Sequence, residues 1–133
     1  MIRNKAAAYG LLAIYEIAKR HRGTTNPSGI QAGEVAQKYK LPVAYAAKIM
    51  SQLARRGILR SDRGPHGGFR LNRSPDKINL WDILDAVGGL GPDGGKPFTG
   101  YPAAVQNVLN RAHADSMARL RDICKNITAE SIM

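Results

Sequence analysis

The sequence predicts a mainly α chain with one small β-hairpin and a long C-terminal helix. Three observations carry that expectation. Apolar residues recur at helical spacing over residues 5–21, 43–56 and 103–127. Between the last two, "SDRGPHGGFRLNR" (61–73) holds three glycines and a proline, and the short runs "ILRS" and "FRLN" flank them; a reversal between two strand candidates is a hairpin pattern. A second stretch, residues 88–102, with six glycines and three prolines, separates this region from the last helix as an irregular linker.

Taken in order, Lys5 to His21 places Ala8, Leu11, Leu12, Tyr15 and Ala18 on one face of a first helix, and Lys19, Arg20 and Arg22 near its end complement the helix dipole. The run "AAAYGLLAIY" is too short to span a bilayer, and Glu16 and "KRHR" follow it without an export cleavage site, so an amphipathic helix is the reading. "GTTNPSG" is a loop by composition. Val35, Ala36 and Tyr39 give a short helix to about Lys40, and Pro42 both stops it and suits the opening of the next. That next helix runs to Arg56, where Gly57 supplies a left-handed cap. Tyr45, Ile49 and Leu53, with Ala46 and Met50, form its apolar back; Lys48, Ser51, Gln52 and Arg55 form its front.

Two short helices joined by a tight turn make a helix-turn-helix, and the hairpin that follows at once carries Arg60, Arg63, Arg70 and Arg73. The order is that of a winged helix-turn-helix, whose narrow basic tip suits a minor groove. "DKINLWDILDAVGG" adds a helix with Leu80, Ile83, Leu84 and Val87 in a stripe and Trp81 alongside. The last helix aligns Val105, Leu109, Ala112, Met117, Leu120, Cys124 and Ile127. A long helix beyond the core of so small a chain finds its partner in a second copy. The expected organisation is a DNA-binding domain over 1–87, the linker over 88–102 and a dimerisation helix over 103–133.

Charge locates the partner. Residues 1–77 carry 15 Lys or Arg against 4 Asp or Glu, whereas residues 78–133 carry 5 against 6. Between Lys38 and Arg73 nine bases face one acid, Asp62. So uneven a balance points to a polyanion. The basic segment lacks the apolar face of a membrane-surface helix, which leaves nucleic acid and excludes a membrane partner. An aromatic content of 6% without a stacking platform argues against RNA. No cluster of carboxylate, histidine and nucleophile suggests an enzyme. The single cysteine, Cys124, allows no internal disulfide or cysteine cage and suits a cytoplasmic home; it reads as a packed small residue rather than a redox sensor. His21, His66 and His113 fall in different elements and suggest no metal site.

The candidate DNA-contacting set is Lys5, Ala44, Tyr45, Ala47, Lys48, Gln52, Arg55, Arg60, Arg63 and His66. Lys48 and Gln52 are spaced to meet base edges, Arg55 to meet phosphate, and the alanines to act as spacers or thymine-methyl contacts. A solvated helix surface is the plain alternative for Lys48, Gln52 and Arg55, and the concentration of positive charge weighs against it. "GPHGG" is not followed by a helix start or a Lys-Ser/Thr pair, so it is a turn and not a phosphate cradle.

"EVAQKYKLP", "YAAKIMSQLARRGILRSDRGPHGGFRL" and "INLWDILDAVGG" together resemble the Rrf-two family of bacterial winged-helix transcription regulators. The motif is RG-x-x-GG-[FY]-x-L, Arg63 to Leu71, after L-x-x-x-G-[IL], Leu53 to Ile58. The resemblance covers nearly the whole chain and implies a homodimeric repressor on a double-stranded DNA operator, its long helices crossing, the helix from Val43 in a major groove and the wing in a minor groove. Two departures matter. The family's Y-L-E-Q is here Tyr45-Ala46-Ala47-Lys48, which removes the glutamate able to accept from cytosine. The family's cluster-binding branch uses three linker cysteines, and residues 88–102 contain none, so no iron–sulfur cofactor is expected. The effector, a small molecule or a protein, is not legible, and a winged-helix module that acts through a protein partner is the alternative function.

Overall fold

The computed structural model describes residues 5–22, 28–64, 67–88 and 97–132. Helix α1 (Lys5–His21) buries Ala7, Gly10, Ala13, Ile14, Ile17 and Ala18. This is not the predicted face: Ala8 and Tyr15 are exposed, and Leu11 and Leu12 are only half-buried. The reason is Gly10, where a Cβ would lie 3.4 Å from Val87 and 3.5 Å from Ile83. The helix carrying those two residues, α4 (Leu80–Val87), packs closely against α1 at this glycine, on the face that also buries Ile14 and Ile17, and leaves Leu11 and Leu12 to one side.

Helix α2 (Ala32–Tyr39) begins where the Gln31 N–H donates to Glu34 Oε1 at 3.2 Å. It ends at Lys40, the only non-glycine with positive φ (57°) among the described residues, whose N–H bonds back to Ala36. Pro42 then caps α3 (Val43–Arg55), which buries Ala46, Ile49, Met50 and Leu53. Those four, with Ile14, Ile17, Ile58, Leu59, Ile78 and Ile83, are the centre of the core. Gly57, at φ 75°, turns the chain from α3 into the hairpin.

Strands β1 (Leu59–Asp62) and β2 (Gly68–Leu71) pair antiparallel, Leu59 with Leu71 and Asp62 with Gly68, one residue displaced from the predicted runs. Ile30 adds a one-residue third strand, exchanging backbone bonds of 3.0 and 2.8 Å with Phe69. The glycines are needed here. A Cβ at Gly67 would lie 2.3 Å from the Asp62 carbonyl oxygen, and Gly68 combines φ 113° with a 2.8 Å approach to the Ile30 backbone.

After a 3₁₀ turn (Pro75–Lys77) and α4, the chain reaches α5 (Ala103–Lys125). The end of α5 packs on the body: Cys124 is buried with Ala7 and Leu84, beside Leu80, Trp81 and Leu120. Residues 127–129 then return to residues 78–80, where Leu80 N–H donates to Ile127 at 2.8 Å and Ala129 N–H to Ile78 at 2.7 Å. The predicted α5 stripe is therefore unevenly used, with Cys124 buried, Leu109, Met117 and Leu120 half-buried, and Val105, Ala112 and Ile127 exposed.

Candidate nucleic-acid interface

The core fixes which way α3 faces. With Ala46, Ile49, Met50 and Leu53 inward, helical periodicity turns Val43, Ala44, Ala47, Lys48, Ser51 and Arg55 outward as one stripe. All but half-buried Ala47 are exposed. Tyr45 is not on that stripe; its ring meets Tyr9 of α1 edge to face at 5.4 Å between centroids. Gln52 is half-buried, with its Oε1 buried and without a hydrogen-bond partner among the described residues. Lys5 is exposed in the first turn of α1, one turn before Tyr9.

The wing stands directly after α3. Arg60 and Arg70 are cross-strand neighbours, and like charges there would repel. Asp62 relieves this, its carboxylate 2.8 Å from Arg70 Nε and 3.7 Å from Arg60 Nε. Arg63, just past β1, is exposed and has no carboxylate partner among the described residues, whereas His66 lies outside them. His21 is near these arginines: burial lowers its pKa, and the charges of Arg70, Arg60 and Arg20 lower it further, which favours a neutral imidazole.

Ion pairing divides the basic window. Lys38 binds Glu16, Arg56 binds Asp85 at 3.0 Å and Arg73 binds Asp82 at 3.1 Å, so the first joins α2 to α1 and the other two join the end of α3 and the base of the wing to α4. Arg60 and Arg70 share Asp62. Of the nine bases, Lys40, Lys48, Arg55 and Arg63 are left without a carboxylate among the described residues, and all four are exposed. Lys40 was absent from the sequence-derived set. Its signal was local: a residue closing one helix two positions before the proline that opens the next is forced into an unusual, outward conformation.

The donor set does not fit a thiolate-held cluster. The sole thiol, on Cys124, is buried among apolar side chains, and that burial raises its pKa, away from the thiolate a metal needs. Among the described residues no three His, Cys, Asp or Glu side chains gather as a metal site. A cleft of about 560 Å³ does lie between Trp81 of α4, Pro97 and the stretch of α5 that includes His113, Met117 and Arg121.

The family model for Rrf2, described as an iron-dependent transcriptional regulator, matches residues 3–133. The HTH-type transcriptional regulator CymR of Bacillus subtilis (strain 168) is 29% identical over 119 residues, which cover 90% of this chain and 77% of that protein. A protein of Aquifex aeolicus (strain VF5), provisionally named an HTH-type transcriptional regulator, is 35% identical over 88 residues, 66% of this chain. The match takes in only 58% of that relative's length. The solved structure of CymR, the global cysteine regulator of B. subtilis, aligns with 96% of this chain and 92% of its own at a TM-score of 0.67 and 24% identity, a likeness of fold. A winged helix with exposed cations on the turn, the second helix and the wing, matched over residues 3–133 by one family, leads to a single assignment: the chain belongs to the Rrf2 family of DNA-binding transcription regulators.

Proposed function

We propose that the protein acts as a homodimeric repressor on a pseudopalindromic operator, with α3 in the major groove and the wing in the adjacent minor groove. The observation that carries this reading is the set Lys40, Lys48, Arg55 and Arg63: four exposed cations, on the turn, the helix and the wing, that the fold does not neutralise. Lys48 and Arg55 lie on the outward stripe of α3, Lys40 opens the turn before it, and Arg63 follows β1 in the wing. The dimer is supported by apolar exposure on and just beyond α5, where Val108 is 68% and Ile123 61% exposed in the single chain. Two recognition helices would meet half-sites about one helical turn, roughly ten base pairs, apart. The cleft beside α5 is of a size for a small-molecule effector, and the donor set favours such a signal over a cluster.

A salt titration tests the reading. Four free cations per subunit give about eight phosphate contacts per dimer, and a log–log slope of affinity against salt near −7. Binding to duplex DNA with essentially no salt dependence would refute it.

A further inference from the structure

The outward stripe of α3 changes character along its length. Its first turn and a half presents Val43, Ala44 and Ala47, none with a hydrogen-bonding side chain, and Val43 is 58% exposed. Tyr45 and Ala46, between them, belong to the core side, and Pro42 ahead of them has no N–H. Polar groups begin only at Lys48, followed by Ser51 and Arg55. In a helix-turn-helix the first residues of the second helix approach the base edges most closely. Here those residues are methyl-bearing and small.

Resting on the groove-binding reading above, we infer that α3 reads its half-site through thymine methyl groups packed against Val43, Ala44 and Ala47. Among the base edges of the major groove, only thymine offers a methyl group to an apolar side chain. The two alanines are short enough for the helix backbone to come close to the base pairs, and Val43, on the first turn, supplies the broad apolar contact. A β-branched apolar residue left in water on a first helical turn gains nothing from burial in the free protein; against thymine it gains that burial on binding. Lys48 and Arg55, one and three turns further, meet phosphate or guanine beside the thymine-bearing segment. Base identity at the centre of the half-site is thus set by shape and methyl contact rather than by a hydrogen-bond code.

The experiment starts from duplexes selected by the full-length protein out of a random pool. Each thymine of the recovered half-site is replaced by uracil, which removes the methyl and keeps every pairing and groove hydrogen-bonding group. Replacement at a contacted thymine should weaken binding about four-fold, the value of one buried methyl at about 0.8 kcal/mol with 1.4 kcal/mol per tenfold. The Val43→Ala protein, altered at an exposed position, should lose most of that discrimination at one thymine while its salt slope stays unchanged. Half-sites without thymine, uracil tolerated at every position, or uracil sensitivity identical in the parent protein and in Val43→Ala would each overturn the inference and leave groove binding standing. Failure to enrich any sequence, together with salt-independent binding, would instead overturn the groove-binding reading, and this inference with it.

Discussion

Replacing Asp62 with asparagine should tighten DNA binding, although it removes two ion pairs from the wing. The carboxylate lies 2.8 Å from Arg70 Nε and 3.7 Å from Arg60 Nε, and so offsets one of two neighbouring guanidinium charges. The Asp62→Asn change would keep the side chain's shape and free one positive charge per subunit, or two per dimer. If both reach phosphate, the salt slope steepens from about −7 to about −9. At about 0.15 M salt the same two contacts strengthen binding roughly 30-fold, and the gain disappears as salt approaches about 1 M. The cost to folding is about 0–1 kcal/mol for the exposed Arg60 pair, whose arginine side chain is 58% accessible, and greater for the Arg70 pair, whose arginine is only 15% accessible, so the variant's urea midpoint is measured beside its affinity. Fluorescence anisotropy of a labelled operator duplex, titrated at several salt concentrations for both proteins, reads slope and affinity together. An unchanged slope, or weaker binding of Asp62→Asn at low salt, would mean that the wing arginines do not face the duplex and that Asp62 serves only to shape the hairpin.

Other outcomes follow from the same geometry. Arg63→Ala should weaken operator binding by about 1–3 kcal/mol with the urea midpoint unchanged; equal affinity would remove Arg63 from the interface. Gly68→Ala should destabilise the fold by about 3 kcal/mol or more, since it combines φ 113° with a clash against Ile30, whereas Gly33→Ala, in α2 with open space around it, should stabilise by about 0.5–1 kcal/mol; similar midpoints in denaturant would refute the packing described for Gly68. Burial raises the pKa of Glu16, but hydrogen bonds from Tyr39 and Lys38 outweigh it, so the net shift is downward from 4.5. Its contribution to stability is therefore present above the ordinary carboxylate range and lost as pH falls through the lowered folded value, and a Glu16→Gln protein should lack that part of the acid dependence in urea titrations.

Element order was legible because punctuation in this chain is strong. Pro42 separates two helices, and the glycines at 64, 67 and 68 force a reversal. Gly88, at φ 75°, closes α4. The buried face of α1 was not legible, because Gly10 and Ala13, which share that face with Ile14 and Ile17, add nothing to a hydrophobic count beside Leu11, Leu12 and Tyr15. A Gly10 that admits α4 is seen only when both helices are in place. The α5 stripe was legible as a pattern but not as an allocation: its last turns, with Cys124, cover Leu84 and Ala7, while Val105 and Val108 nearer its start remain open. Periodicity cannot say which half of an amphipathic helix its own chain will cover. Within the candidate site, Lys48 and Arg55 lie exposed on the outward stripe of α3 and Arg63 is exposed just past β1, whereas Tyr45 turned to Tyr9 because an aromatic ring in a first helical turn finds more area against a neighbouring helix than in water.

Charge shows most clearly why a linear reading overstates an interface. Nine bases and one acid between Lys38 and Arg73 suggest eight uncompensated charges. Glu16, Asp82 and Asp85, all outside that window in sequence, come to lie against Lys38, Arg73 and Arg56, which lowers the surplus to five. The three captured bases have a different task. Arg56 and Arg73 fasten the end of α3 and the base of the wing to α4, with a further bond from Arg73 to the Arg56 carbonyl at 3.1 Å, and Lys38 fastens α2 to α1. They hold the recognition helix and the hairpin in one orientation, which is what lets the remaining cations act as a set. Each such pair is worth little to stability by itself. Its effect on binding is larger than its effect on folding, because a helix and a wing that drift independently would have to be ordered again on every encounter with DNA. A variant that breaks Arg73–Asp82, such as Asp82→Asn, also alters the 3.2 Å bond that Asn79 Nδ2 donates to the same carboxylate oxygen, and should lose a little stability, keep its salt slope and lose affinity. Should the slope steepen instead, Arg73 or its neighbours would have to be counted among the groups that touch phosphate, and the division between structural and DNA-facing arginines would be wrong.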